Sequence, residues 1–183
     1  MNVSSLSFST LLLSVALLTA ACSSEQPQNQ AEAQQTNAPA QSNLDKAPNF
    51  EVTTISGETI SLEQTLADNK PMVIYFTASW CPTCARNWPA MSEVYPEYAD
   101  KLTMVAISID PTDTDDVIRK LSEERGFTFP STAGKPELMV EYGVRAQATT
   151  VGVNRDGYIT FRKQQQALTA DEYRELFASL IEG

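Results

Sequence analysis

The stretch from Pro71 to Tyr98 constrains the fold most, because it predicts a buried strand that leads directly into a helix starting at two cysteines. Its first part, Met72 to Phe76, is a short apolar run rich in β-branched and aromatic side chains, which is typical of a strand covered on both faces. After this run the apolar residues recur at helical spacing, and one face would hold Cys84, Trp88, Met91, Tyr95 and Tyr98. Pro82 suits the first turn of such a helix, where its missing N–H is no loss.

The spacing of the two cysteines predicts unequal sulfur chemistry. Cys81 is expected at the helix N-terminus, where unpaired N–H groups and the positive end of the macrodipole stabilise a thiolate. Cys84 would lie one turn further on, within the roughly 4.4 to 6.8 Å between α-carbons that a disulfide requires. We therefore predict an exposed Cys81 sulfur as the attacking thiol and Cys84 as the resolving thiol. A structural disulfide and a pair of inert thiols are the alternatives.

The motif Trp80-Cys81-Pro82-Thr83-Cys84 resembles thioredoxin-fold proteins, in particular the membrane-anchored TlpA/ResA type of thiol–disulfide oxidoreductase, the redoxins. Pro89 matches the proline that kinks the active-site helix in that superfamily, and 142–145, 149–150 and 154–157 resemble its segments around the third core strand. The resemblance implies an α/β, thioredoxin-like fold with a mixed central β-sheet flanked by helices, an N-terminal β-hairpin and the extra strand–helix insertion of the TlpA/ResA type. It also implies a redox-active Cys81–Cys84 disulfide that needs no cofactor and no metal.

The resemblance further implies which residues surround the disulfide. Trp80, Pro82 and Thr83 would shape the rim, and Gln147-Ala148-Thr149 would form the loop that faces the cysteines and pairs with the substrate backbone. The family has a cis-proline where Ala148 stands. Since a cis bond before a residue other than proline costs roughly 2.5 to 4 kcal/mol, we expect a trans Gln147–Ala148 bond and a loop shifted relative to the cysteines.

Two positions near the cysteines lack the acids found in relatives. Tyr75 stands where thioredoxins carry a buried Asp, and Asn87 stands where the ResA-like branch has Glu three residues after the second cysteine. Neither side chain offers a proton acceptor for Cys84.

The N-terminus predicts export. Residues 1–21 are uncharged, contain an apolar block from Leu11 to Leu18, and are interpreted as a signal peptide. The junction Ala20-Ala21-Cys22 resembles a bacterial lipobox, so Cys22 is predicted to carry the lipid, with an ordinary cleaved leader or an uncleaved anchor as alternatives. Ser23 resembles an outer-membrane sorting signal. The expected location is the bacterial cell envelope, as a periplasm-facing lipoprotein, on the outer rather than the inner membrane where there are two.

Residues 22–45 follow as a predicted lipidated N-terminus and disordered linker, because they are polar and nearly free of large apolar side chains. Residues 46–183 would form one thioredoxin-like domain. Within it we predict a hairpin of 50–54 with 58–61, and further strands at 102–109, 149–153 and 158–161. Helices are predicted at 62–67, 113–125, 136–142 and 169–181.

Composition excludes several function classes. The formal net charge is −10, which makes nucleic acid or an anionic membrane face an unfavourable partner. Cys81 and Cys84 supply only half of the four ligands that a structural zinc site needs. There is no histidine, and this absence also argues against a copper-delivery relative of the fold. A peroxiredoxin would have Thr three residues before its cysteine, whereas Thr77 is four before Cys81.

We therefore predict a monomeric, membrane-tethered oxidoreductase that acts on protein thiols and disulfides and receives electrons from a membrane donor. Two other classes stay open. One is a non-catalytic binding module that keeps the thioredoxin fold. The other is a metal or iron–sulfur site shared between two chains, with two cysteines from each.

Overall fold

A computed structural model of the protein describes residues 44–183. The predicted signal peptide, the predicted lipid attachment at Cys22, and the predicted linker up to residue 43 lie outside the described residues. The elements of the described part, in chain order, are β1 (Glu51–Thr53), β2 (Thr59–Ser61), α1 (Leu62–Ala67), β3 (Met72–Thr77), α2 (Pro82–Val94), a 3₁₀ turn (Tyr95–Glu97), β4 (Thr103–Ser108), α3 (Asp115–Arg125), β5 (Ser131–Gly134), α4 (Pro136–Glu141), β6 (Thr149–Val153), β7 (Ile159–Lys163) and α5 (Ala170–Glu182).

The central sheet has five strands in the order β5-β4-β3-β6-β7. Strands β3, β4 and β5 are parallel, whereas β6 and β7 are antiparallel to their neighbours. The prediction of a mixed central sheet flanked by helices is thus confirmed. The N-terminal hairpin of β1 and β2 is also confirmed, and it forms a separate two-stranded sheet.

Strand β3 is buried along its whole length, as its apolar run predicts. Val73 and Tyr75 face the core that contains α2 and α5, including Trp88 and Phe177. The alternate residues, Met72, Ile74 and Phe76, face the second core, which contains the hairpin and α4. Because both faces of β3 are covered, the residue that ends it is held firmly, and the turn that follows carries the cysteines.

Three sequence predictions differ from the structure. Strand β5 was not predicted, because Ser131 to Gly134 is a short edge segment without a long apolar side chain. The third helix begins at Asp115 and is capped by Thr114, so Asp113 precedes it and is buried. The active-site helix ends at Val94, before the 3₁₀ turn that contains Pro96. Strand β5 and helix α4 lie between α3 and β6, and they form the extra strand–helix pair that the family resemblance implies.

The described chain enters the domain beside the β6–β7 turn. Lys46 pairs with Tyr158, the Ala47 N–H donates to the Gly157 carbonyl, and Arg162 forms an ion pair with Asp45 at 3.0 Å. This is the end of the sheet where β3 begins.

No helix in the range 44–183 is long and apolar enough to cross a membrane.

Candidate active site

The two cysteines form a disulfide at the point where β3 passes into α2. Cys81 is the N-cap of α2, with Pro82 in the first turn, and the Cys84 N–H donates to the Cys81 sulfur at 3.1 Å. The α-carbons lie 5.2 Å apart, within the range that the sequence argument requires. The geometry therefore aims the N-terminal N–H groups of α2 at Cys81, where they would stabilise a thiolate after reduction.

Both cysteines are buried in this disulfide form. Cys81 is 2% exposed and Cys84 is fully buried, so the expectation of an exposed Cys81 sulfur is wrong for the oxidised protein. The reason is local, because the Cys81 sulfur turns back over the first turn of α2, toward the Cys84 N–H and sulfur. The residues next to Cys81 reach the surface: Trp80 is 58% exposed, Pro82 is exposed and Thr83 is half-buried.

A buried carboxylate holds the turn before the disulfide. Asp113 accepts hydrogen bonds from the Ser79 N–H at 2.9 Å, from the Ser79 hydroxyl at 2.6 Å and from the Ser108 hydroxyl at 2.6 Å. Hydrogen bonds between buried polar groups are costly to break, because the groups left behind are unpaired. Asp113 thereby fixes the main chain two residues before Cys81.

A second carboxylate fixes the exposed indole at the rim. The Trp80 Nε1–H donates to Asp110 at 2.5 Å, and the Thr112 N–H and hydroxyl donate to the same carboxylate. The bonds from Thr112, and next the one from Trp80, hold the pKa of Asp110 below its usual value. Trp80 is thus an oriented surface side chain and not a freely rotating one.

Ala148, in the loop from 146 to 149, belongs to the buried cluster that contains the disulfide. The Gln147–Ala148 bond is trans, as expected, and Ala148 is buried with a φ of +57°. Its carbonyl accepts from the Gln166 N–H at 3.1 Å, and the Thr149 hydroxyl donates to the Ala146 carbonyl. A left-handed alanine is strained by roughly 1 to 2 kcal/mol, and proline, whose φ is near −65°, cannot take up this conformation.

Asn87 connects the active-site helix to the segment before α5. Its amide N–H groups donate to the carbonyls of Thr83 at 3.0 Å and Gln166 at 2.9 Å. Its carbonyl oxygen accepts from the Leu168 N–H at 2.9 Å and from the Tyr173 hydroxyl at 2.8 Å. Both donors and both acceptor positions of this fully buried amide are therefore used, which makes it a structural clamp one turn after Cys84.

Tyr75 is fully buried in the same cluster as the two cysteines, and its hydroxyl has no hydrogen-bond partner among residues 44–183. Burial raises the pKa of Tyr75 far above its ordinary value, and nearby Tyr173 adds to the effect. The Asn87 side chain lies close enough to oppose the effect, but its amide hydrogens and carbonyl oxygen are already bonded to other groups, so it makes no hydrogen bond of good geometry to the Tyr75 hydroxyl. The hydroxyl therefore stays protonated at every physiological pH. Strand β3 pairs Tyr75 with Thr150 of β6, so the hydroxyl belongs to the layer between the sheet and α2.

Sequence reasoning missed Asp110 and Asp113 as parts of this site. The signal was available, because both follow β4, which runs parallel to β3. Residues that follow neighbouring parallel strands meet at the same edge of the sheet, next to the cysteines that follow β3. Within the described range no group of three or more His, Cys, Asp or Glu side chains is placed to hold a metal ion.

A disulfide across the first turn of a helix that follows the central strand of a mixed sheet defines the class of thioredoxin-fold dithiol proteins. Residues 44–162 match the model of the AhpC/TSA family, and the chain belongs to that family, among its TlpA/ResA-like thioredoxin-fold members. It is 33% identical over 135 residues to the thioredoxin-like protein YneN of Bacillus subtilis, covering 69% of this chain and 78% of YneN.

The chain is also similar to proteins named thiol-disulfide oxidoreductase ResA. It is 33% identical over 131 residues to that of Oceanobacillus iheyensis, covering 69% of this chain and 67% of the relative. It is 30% identical over 115 residues to that of Bacillus anthracis, where the match spans 62% of this chain and 65% of the relative.

Solved structures share the fold. A thioredoxin-family thiol:disulfide interchange protein from Chlorobium tepidum superposes with a TM-score of 0.68 at 19% identity, over 78% of this chain and 99% of that one. StoA from Bacillus subtilis superposes with a TM-score of 0.61 at 26% identity, over 70% of this chain and 96% of that one.

Proposed function

We propose that this protein is an exported, membrane-tethered thiol–disulfide oxidoreductase that reduces disulfides of partner proteins through Cys81 and Cys84. One observation carries the proposal: the disulfide lies at the N-terminus of α2 with Cys81 as the cap, where helix N–H groups stabilise a thiolate. The relatives named thiol-disulfide oxidoreductase support the same chemistry.

The reaction runs in two exchanges. In the reduced protein the Cys81 thiolate attacks one sulfur of the partner's disulfide, a mixed disulfide forms, and the partner's other sulfur leaves as a thiolate that takes a proton from water. The Cys84 thiolate, its proton released to water, then attacks the Cys81 sulfur. This forms the Cys81–Cys84 bond and releases the partner's second sulfur with its electron pair. The partner is reduced, and this protein is oxidised by two electrons.

The oxidised form must then be reduced again, and we propose a membrane electron donor for that step. The N-terminal sequence supports the location: residues 1–21 resemble a signal peptide and Cys22 follows a lipobox-like junction. The protein would be a monomeric lipoprotein that faces the periplasm, with an outer-membrane location favoured by Ser23. Intact-mass spectrometry of the mature protein should show that it begins at an acylated Cys22. An unmodified Cys22 would remove the lipid anchor from the proposal and leave the redox chemistry in place.

A trapping experiment tests the activity. The Cys84→Ser variant should accumulate mixed disulfides with partner proteins in the native compartment, because the resolving thiol is gone. The matched Cys81→Ser variant should accumulate far fewer. Wild-type protein should reduce insulin disulfides with a suitable reductant. If no mixed disulfide forms and insulin is not reduced, the proposal is wrong, and the binding-module interpretation takes its place.

A further inference from the structure

The buried polar groups near Cys84 are nearly all occupied. Asn87 uses both amide hydrogens and both acceptor positions. The hydroxyl of Tyr173 donates to Asn87 and lies 3.4 Å from the Thr150 hydroxyl. Asp113, the one buried carboxylate among residues 44–183, is engaged by Ser79 and Ser108. None of these groups has a free hydrogen-bond donor to offer to the Cys84 sulfur.

Tyr75 is the exception. Its hydroxyl and that of Ser92 are the two buried side-chain groups without a partner in the described part of the chain. Ser92 is only partly buried and lies eight residues after Cys84 along α2, more than two turns away. A buried, unpaired hydroxyl costs roughly 1 to 3 kcal/mol, so an unoccupied donor in this core requires an explanation.

We infer that the Tyr75 hydroxyl is the donor for the Cys84 sulfur in the reduced protein. In the oxidised protein the disulfide holds the Cys84 sulfur against Cys81, and the Tyr75 hydroxyl finds no acceptor. Reduction breaks that bond, and the two sulfurs separate to non-bonded distance. Cys81 stays at the N-cap of α2, between the exposed residues Trp80 and Pro82, whereas Cys84 is free to turn inward toward the layer where Tyr75 lies.

This inference rests on the proposed function and names the residue that supports its resolving step. Burial disfavours the Cys84 thiolate, and a hydrogen bond from Tyr75 offsets part of that penalty. Tyr75 keeps its proton throughout, because burial makes its own ionisation unfavourable. The Cys84 proton goes to water before the attack on Cys81. Tyr75 is therefore a positioning residue, whose donor stabilises the attacking sulfur without transferring a proton.

The remaining titratable groups around Cys84 do not compete for this role. Cys81 of α2 carries the other sulfur, and Tyr173 of α5 already donates to Asn87. On the β3 side, Tyr75 is the only titratable side chain of the strand. The pH dependence of Cys84 should therefore respond to Tyr75 alone among these tyrosines.

The test uses the full-length chain with Cys22→Ser, which leaves Cys81 and Cys84 as its only thiols. Tyr75→Phe removes the hydroxyl and keeps the ring. Because the hydroxyl is unpaired only in the oxidised protein, the variant should unfold at the same or a higher temperature when oxidised and at a lower temperature when reduced. The equilibrium constant for reduction by glutathione should fall about tenfold, which corresponds to about 30 mV toward a more negative potential.

Tyr173→Phe is the matched control. Its hydroxyl is bonded to Asn87 through contacts independent of the disulfide, so this variant should lose stability equally in both redox forms and shift the equilibrium constant less than twofold. In a Cys81→Ser background, Tyr75→Phe should raise the pKa of Cys84 and Tyr173→Phe should not.

An unchanged potential together with an unchanged Cys84 pKa in Tyr75→Phe would overturn the inference. Equal stability changes in the oxidised and reduced forms would overturn it as well. These measurements do not depend on a partner protein. A shifted potential in a protein that traps no partner would therefore reject the proposed function and keep the role of Tyr75.

Discussion

The Ser79 N–H donates to the Asp113 carboxylate at 2.9 Å, across 34 positions of sequence. Asp113 follows β4 and Ser79 follows β3, so this bond joins the ends of two parallel strands directly in front of Cys81. The turn that carries the disulfide is held by this bond from outside its own segment, and its geometry depends on a residue that does not touch the sulfurs.

Asp113→Ala should therefore destabilise the protein by about 2 to 4 kcal/mol, because it removes the acceptor of the partly buried Ser79 N–H and hydroxyl and of the buried Ser108 hydroxyl. Denaturant unfolding of the oxidised protein measures the change. Asp100→Ala removes an exposed carboxylate and should change stability by less than about 0.5 kcal/mol. Equal effects of the two substitutions would contradict the role given to Asp113.

The left-handed conformation of Ala148 makes a second prediction. Ala148→Gly should stabilise the protein by about 0.5 to 1 kcal/mol, since glycine accepts a φ of +57° without strain. Ala148→Pro should destabilise it by more than about 1 kcal/mol, because the ring fixes φ near −65°. Melting temperatures of both variants decide this. Ala146→Gly, at a residue without positive φ, should not stabilise, and a more stable Ala148→Pro protein would refute the argument.

The cap position of Cys81 predicts its reactivity. In the reduced, folded protein Cys81 should alkylate faster than Cys84, because the N–H groups of α2 stabilise its thiolate, and its pKa should lie below about 7.5. Mass spectrometry of partly alkylated protein locates the modified residue. Modification of Cys84 first would reverse the roles assigned to the two sulfurs.

The contact between Trp80 and Asp110 predicts a pH-dependent fluorescence signal. Hydrogen bonds depress the pKa of Asp110 in the folded protein, so the ionised contact is present at and above the ordinary aspartate value near 3.9 and is lost only as the pH falls through the lower folded value. Trp80 emission should therefore change below about pH 3.9. Asp110→Asn should abolish this change, and Trp80→Phe identifies the contribution of the buried Trp88. A transition centred above the ordinary value would contradict the assignment.

The fold was predictable where one segment contains the whole signal. Three elements are predictable from their own residues alone. These are β3 from its apolar run, α2 from the helical spacing that starts at Cys84, and α5 from its capping residues. Strand β5 was not predictable in this way, because its strand character comes from pairing with β4 and not from its own side chains.

The candidate site was predictable only in part, for the same reason. The motif reveals Cys81 and Cys84, but the bonds that surround them join residues far apart in sequence. Asn87 shows this most clearly: as a replacement for an acid it looks like a loss, yet it bonds to Gln166 and Leu168, about 80 positions later. The structural role of Asn87 exists only because α5 and the segment before it pack against α2.

The described chain enters the domain beside Gly157, at the opposite end of β3 from the disulfide. Ala47 bonds to Gly157 at the end of the sheet where Met72 of β3 pairs with Val153, whereas Cys81 follows the opposite end of β3. The six residues of β3 span about 20 Å. The first described residues and the disulfide are therefore separated by about the full length of β3, and the face of the sheet's end that carries Cys81 is not the one along which the described chain enters.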